Sequence, residues 1–274
     1  MLRPKPRRLR LAFARCGLMF AGGRPALSRP PFHPHSAPLP DERLAERAAR
    51  LNTRFAAAPA EEIVEFALCE TFGGRAAVAT SFGAESVVLL DLAARADRHA
   101  AILFLDTGNH FAATLDYMRT VIEHLRLTNV RIVTPDSREV ADEDPANDLH
   151  RRDPDACCDL RKIRPLKRAL ADYDAWLSGR KRRQSRTRAR LPIFEANDTH
   201  IIVSPLAGWP PEAVGEYIAR CTLPVHPLVA KGYRSIGCRP CTTPVEPGED
   251  PRAGRWRAAD KTECGIHERN RSSS

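Results

Sequence analysis

Residues 75–96, "RAAVATSFGAESVVLLDLAARA", carry the pattern that decides the fold. "RAAVATS" is short, apolar and bounded by polar residues, which predicts a buried strand. "VVLLDLAARA" has apolar residues at three- and four-residue spacings, which predicts a helix. Between them, "FGAES" is a tight link of small residues. A strand running through such a link into a helix N-terminus lets backbone N–H groups approach an anion, and the helix dipole favours negative charge there.

The same alternation continues outward. "AILFLD" (101–106), "NVRIVTP" (129–135), "AWLSG" (175–179) and "HIIVSP" (200–205) read as further strands. Helices are expected over 41–57, 60–70, 112–127, 160–173 and 210–221. Pro165 fits the first turn of its helix, and a proline opens the last one. Buried strands alternating with helices predict an α/β fold built on a doubly wound parallel sheet. Ligands of such sheets bind beyond the C-terminal strand ends, at a crossover point. That rule selects three loops, Ser81–Ser86, Asp106–His110 and Gly179–Arg190. Residues 41–222 are expected to form the α/β nucleotide-binding domain. Residues 223–274, rich in Pro, Gly and Cys, read as an irregular tail over the sheet edge.

Charge excludes one broad class. The chain has 274 residues and a net charge of +9. Residues 1–40 hold eight basic residues and no acidic one, so the rest of the chain is left at only +1. A generally basic nucleic-acid-binding surface is therefore not expected. The leader reads as a disordered extension, a mistaken start or a targeting segment. No apolar run approaches the roughly 18–20 residues that span a bilayer.

The eight cysteines divide by context. Cys16 lies in the leader, and Cys69 and Cys221 fall in apolar helical patterns where inert buried thiols are common. Cys157 and Cys158 are neighbours in "DPDACCDLRK", and Cys238 and Cys241 form a C-x₂-C pair. A disulfide between adjacent residues is strained, since their Cα atoms stand about 3.8 Å apart against the roughly 4.4–6.8 Å of relaxed bridges. Four thiols in two pairs suit zinc or an iron–sulfur cluster. Cys264 stands alone in "KTECGIH". An unperturbed thiol would be only about 3% thiolate at pH 7, and nearby cations would activate it as a nucleophile. The run "GRKRRQSRTRAR" (179–190) is a solvated basic loop, a nucleic-acid contact or a clamp for phosphate or sulfate.

Taken in order, "SFGAES", "LDTG", "CC…RK", "G-x-x-R-x-Q-S-x-x-R", "GC-x-P-C", "R-x-G-R-W" and "ECG-x-H", spread from Arg75 to His267, resemble the assimilatory sulfonucleotide reductases. The resemblance implies a sheet like that of the ATP pyrophosphatases and reduction of an activated sulfate to sulfite by thioredoxin. Members with both cysteine pairs bind a [4Fe–4S] cluster and use adenosine 5′-phosphosulfate (APS), so Cys157, Cys158, Cys238 and Cys241 are expected to ligate such a cluster. Cys264 is implied as the nucleophile, forming an S-sulfocysteine that thioredoxin resolves, with AMP as the other product. Lys162, Arg182, Arg252, Arg255 and His267 match substrate-binding positions, with Ser81 and Gly83 at the nucleotide loop. Where the family loop reads Arg-Arg and then an acidic or small residue, this chain has Lys181-Arg182-Arg183. The assignment therefore rests on Arg182, with Lys181 unassigned.

A phosphoadenylyl-sulfate (PAPS) reductase is the near alternative. An ATP pyrophosphatase is disfavoured because Phe82 and Glu85 replace the Gly and Asp of its loop. A zinc module binding nucleic acid is the third reading. Cluster ligands and a free catalytic thiol both need a reducing compartment, hence the cytoplasm. A homo-oligomer is compatible with all of this.

Overall fold

A computed structural model of the chain describes residues 43–259 and 261–267. The leader reading falls on residues outside these. Nine α-helices and six strands are present among the described residues. Helix α1 (Leu44–Arg54) and α2 (Ala60–Glu65) come first, and α2 runs on as a π-helical turn, Phe66–Thr71. Then follow β1 (Ala76–Thr80), α3 (Ser86–Ala96), β2 (Ala101–Leu105), α4 (Ala112–Leu125) and β3 (Val130–Val133). The polar stretch beyond is helical: α5 (Ser137–Glu143), α6 (Leu149–Arg152) and α7 (Pro154–Cys158), the last joined by a π-helical turn, Asp159–Ile163, to α8 (Arg164–Ala169). Strands β4 (Ala175–Leu177), β5 (Phe194–Ala196) and β6 (Ile201–Val203) precede α9 (Pro211–Arg220).

The strand order is β3-β2-β1-β4-β6-β5. All neighbours are parallel except β5, which runs antiparallel to β6 at the edge. The parallel sheet is as expected, and the antiparallel edge strand is an addition to it. Side chains alternate between the two faces because strand periodicity is two. Val78, Phe104, Leu177 and Val203 pack with α1–α4 and α9 on one face, while Ala77, Leu103, Trp176 and Ile202 meet Leu166 and Leu170 of the α8 region on the other. The chain turns from β1 to β2 on one side and later returns to β4 on the other, so the crossover point lies between β1 and β4. Ligands of open α/β sheets bind at that point.

Pro165 stands in the first turn of α8, as expected, but the helix does not begin there. A proline within a continuing helix removes one N–H donor and clashes with the carbonyl four residues back. The wider π turn accommodates it directly after Cys157 and Cys158. The π turn at 66–71 has a different effect: it rotates Cys69 outward, so this thiol is exposed rather than buried. Cys221 is half-buried.

Candidate active site

A cleft of about 780 Å³ opens at the crossover point, lined by the C-terminal ends of β1 and β4, the Ser81–Ser86 loop and the C-terminal segment. That volume lies within the roughly 300–1,000 Å³ of small-molecule sites. The segment beyond residue 223 closes over these strand ends instead of the sheet edge: Cys238, Arg252, Cys264 and His267 all face the cleft.

The Ser81–Ser86 loop is held from beneath. Phe82 takes a left-handed backbone (φ 47°), strained for an aromatic residue. Its ring is wholly buried, edge-on to Phe104 with centroids 5.3 Å apart, and its N–H donates to Thr80 Oγ1 at 3.0 Å. A Cβ on Gly83 would stand 3.1 Å from the Ile236 carbonyl oxygen, so glycine there admits the 234–237 segment. Ser81 and Gly83 line the cleft. Asp106 instead makes a capped turn, accepting from Gly108 N at 2.9 Å. Its neighbour Thr107 lies 3.2 Å from Cys238 Sγ through Oγ1.

Arg180, Lys181, Arg183 and Arg188 of the basic loop line the cleft. Arg182, the residue the sequence selected, does not join them: its Nε donates to the Leu191 carbonyl at 2.8 Å and its guanidinium packs beside Gly208. The loop turns there as a 3₁₀ helix with about three residues per turn, which sends Arg182 and Arg183 in different directions. Lys181 is buried and paired with Glu85 of the Ser81–Ser86 loop at 2.8 Å. Its charge is thereby spent within the protein.

The C-terminal motifs supply the opposite wall. A Cβ on Gly237 would collide with the Arg255 guanidinium, so this glycine makes its seat. Arg255 stacks 4.4 Å from the Trp256 ring centroid, and Lys261, Lys162 and Arg252 lie 5.7, 5.9 and 5.9 Å from the same ring. One indole thus has four cations around it, each attraction worth about 0.5–2 kcal/mol. The backbone N–H of Trp256 donates to the Cys241 carbonyl at 3.1 Å, tying this segment to the second cysteine pair.

Charge in the cleft is strongly positive. Burial, then the neighbouring Arg188 charge, pushes Arg252 down to about 10. His267 stands 2.9 Å from Ser178 Oγ through Nε2 and edge-on to Trp176. Burial first, then Arg180, Arg188 and Arg252, hold its imidazole far below the usual range, so the ring is neutral. Burial opposes the Lys162 ammonium, but attraction to the sulfurs of Cys238, Cys264 and Cys158 in their ionised form outweighs it and raises its pKa.

Cys157, Cys158, Cys238 and Cys241 line one small second cavity beside the cleft, and none is in a disulfide. Asp153 caps α7 through bonds from Asp155 N (3.0 Å) and Ala156 N (2.9 Å), with Pro154 in its first turn. The cap fixes where the paired cysteines point. Burial first, then neighbouring thiols, pushes Cys157 up to about 12, and burial likewise pushes Cys158 up to about 11. For Cys238, burial is outweighed by Lys162, the Thr107 hydroxyl and Arg255, and the thiol is lowered. His150 lines the cavity with a buried Nδ1 that has no hydrogen-bond partner among the described residues. Four thiols lining one cavity and an orphaned polar atom suit an inserted metal centre, whose charge would ionise the sulfurs. No group of three or more His, Cys, Asp or Glu among the described residues is arranged for a metal ion. A tetrahedral zinc with bonds near about 2.3 Å draws its thiolates to roughly 3.8 Å of one another. A larger polynuclear group demands no such closeness.

A buried ion pair ties the first cysteine segment to the end of α5 and to the loop after β2. Arg161 donates to Asp144 Oδ2 through Nη2 (2.7 Å) and Nε (3.1 Å), and to the Thr107 carbonyl through Nη1 (3.0 Å). Asp144 is fully buried and also accepts from Leu149 N at 2.9 Å. Removing one partner of such a pair strands the other charge, so Asp144→Ala costs about 3–5 kcal/mol, read as a lowered midpoint in urea denaturation.

Residues 75–244 match the family described as the phosphoadenosine phosphosulfate reductase domain. The chain is 46% identical over 227 residues to an adenosine 5′-phosphosulfate reductase of Mesorhizobium japonicum, covering 83% of this chain and 89% of that one. It is 40% identical over 216 residues to a phosphoadenosine 5′-phosphosulfate reductase of Gloeobacter violaceus, covering 77% and 88%. Among solved structures, the phosphate complex of a PAPS reductase from Candida auris superposes with a TM-score of 0.61 at 27% identity, covering 72% of this chain and 97% of the other.

Proposed function

Because the chain belongs to the phosphoadenosine phosphosulfate reductase domain family, we propose that it reduces APS to sulfite and AMP with thioredoxin as electron donor. The observation that carries this reading is the meeting of Cys264, Lys162, Arg252, Arg255 and neutral His267 in one cleft at the crossover point. Adenosine seats against the nucleotide loop, beside Ser81 and Gly83. The phosphosulfate dianion faces Arg252, Arg255 and Lys162, whose charges offset its repulsion of a thiolate. His267, kept neutral, offers a hydrogen bond without another charge.

Cys264 Sγ attacks the sulfur atom, the bond from sulfur to the phosphate oxygen breaks, and AMP leaves with the electron pair. The product is an S-sulfocysteine. A thioredoxin thiolate then attacks Cys264 Sγ, and sulfite departs with the pair of the S–S bond. The second thioredoxin thiol closes the donor's disulfide and frees Cys264. Sulfur falls from +6 to +4, and the dithiol supplies both electrons.

Cys157, Cys158, Cys238 and Cys241 hold a [4Fe–4S] cluster in this reading, supported by their shared cavity. When bound, the cluster supplies a fixed charge beside Lys162. Metal analysis of anaerobically purified protein should give iron with acid-labile sulfide, and Cys238→Ser should lose both. Zinc without sulfide would remove the assignment. Retention of free thiols needs a reducing compartment, so the enzyme is placed in the cytoplasm. No helix among the described residues is long and apolar enough to cross a membrane.

Anaerobic incubation with APS in the absence of thioredoxin should leave a sulfonate on the Cys264 peptide by mass spectrometry. An unmodified peptide beside released AMP would sink the mechanism. Arg183 on the cleft wall supports a second reading, turnover of PAPS. Comparison of kcat/KM for the two nucleotides decides between them, with APS expected to be preferred.

A further inference from the structure

A carboxylate on the wall of a cleft that receives an anion works against binding, and beside a thiolate nucleophile it works against attack as well. Glu263 is such a carboxylate, adjacent to Cys264 and lining the same cleft. Its partners explain its presence. Arg188 grips it side-on, Nε to Oε1 at 2.7 Å and Nη2 to Oε2 at 2.6 Å. Arg252 Nη2 adds a bond to Oε2 at 3.1 Å, and Thr187 Oγ1 one to Oε1 at 3.3 Å. Arg188 is itself held, donating from Nη1 to Gln184 Oε1 at 2.6 Å, and the Gln184 amide reaches Glu85 of the nucleotide loop at 3.3 Å. A continuous set of polar contacts therefore runs from the nucleotide loop to the residue before the nucleophile.

We propose that Glu263 is a positioning residue: clamped between Arg188 and Arg252, its carboxylate holds the C-terminal segment so that the Cys264 thiol faces the cleft. The clamp stands on geometry alone. Its consequence for turnover rests on the reading of Cys264 as nucleophile.

Other contacts also hold the segment: Arg252 Nη2 donates to the Thr262 carbonyl at 2.7 Å, and His267 meets Ser178 beyond Cys264. Lys261 pairs with Asp155, but Asp155 is 86% exposed, and pairs with an exposed partner contribute about 0–1 kcal/mol. A Cβ on Gly265 would stand 3.0 Å from Ile163 Cδ1, so glycine there lets the segment approach the π turn. Glu263 and its two arginines are 25%, 13% and 13% exposed, where charge-assisted, bidentate bonds are strongest. The carboxylate also lets two guanidinium groups stand together in a buried site.

The test reads the position of Cys264 directly. In the intact holoenzyme, the rate of Cys264 alkylation by iodoacetamide is followed on its peptide by mass spectrometry across pH, and the high-pH plateau is compared. There the thiol is fully ionised, so changes in its pKa drop out. Glu263→Gln and Arg188→Gln remove opposite charges, yet both should raise the plateau about tenfold. The double variant should rise no further than either alone, and Glu263→Asp should fall between Gln and wild type. Unchanged plateaus in both single variants, or effects that multiply in the double, would overturn the clamp. Single-turnover sulfonate transfer from APS should slow about tenfold in Glu263→Gln. Absence of transfer in the wild type, with alkylation behaving as expected, would count against the proposed reaction and leave the clamp standing.

Discussion

Replacing Cys264 by serine should stop sulfite release while leaving nucleotide binding intact. The proposed step needs a polarisable, ionised nucleophile and a leaving group that a second thiol can displace. A serine hydroxyl at this position is un-ionised at neutral pH, and an O-sulfonate could not be resolved by thiol exchange. Loss of the nucleophile in covalent catalysis costs at least about 10³-fold, and often far more. Sulfite and AMP are measured in parallel, with APS affinity followed by calorimetry. Cys264 is half-buried and lies in a segment held by its neighbours, so Cys264→Ser should fold normally. Sulfite output above a tenth of the wild-type value would end the proposed mechanism.

Lys162→Met should lower kcat/KM by about 10²–10³, the usual cost of removing one preorganised charge from a transition state. Methionine keeps the apolar stem and nearly the same volume, so packing changes little. The ammonium it removes lies among Cys158, Cys238 and Cys264 and near the Trp256 ring. It faces both the cysteine cavity and the cleft. Lys162→Arg should rescue poorly, because a planar fork does not replace a compact ammonium in a confined site. Iron content and the visible spectrum are measured on the same samples. Turnover within threefold of wild type at full iron content would remove Lys162 from the catalytic group.

The elements that sequence made visible are those whose periodicity is strong. "AAVAT", "AILFL" and "IIV" are buried runs that can only be interior strands in an alternating chain. Strand β5 was not visible because three residues, Phe194, Glu195 and Ala196, carry no period. It is fixed by Asn52 of α1, whose side chain accepts from Ile193 N and Phe194 N and donates to Phe194 O. A contact across so much chain has no local signature. Helices α5 to α7 were hidden in a polar stretch because they are short and partly exposed, with caps such as Asp136 and Asp153 as their only local marks.

The site divides in the same way. Ser81, Gly83 and Cys264 stood out in their motifs, Lys162, Arg252, Arg255 and His267 through the family resemblance, and all seven line one cleft. Arg182 was singled out as well, but it faces Leu191 while Arg183 faces the cleft. Glu263, Trp256 and Arg188 were quoted within motifs, but their work appears only when segments distant in sequence meet.

What the sequence determined by itself was the α/β alternation, the motifs that mark the candidate site and the family. Each depends on residue type and short spacing, which the chain carries locally. Tertiary structure alone decided which guanidinium groups enter the cleft, which are neutralised by carboxylates, and what holds Cys264 in place. Those outcomes depend on side-chain direction and on charges brought together from remote segments, and Coulomb energies follow distance in space, not separation along the chain.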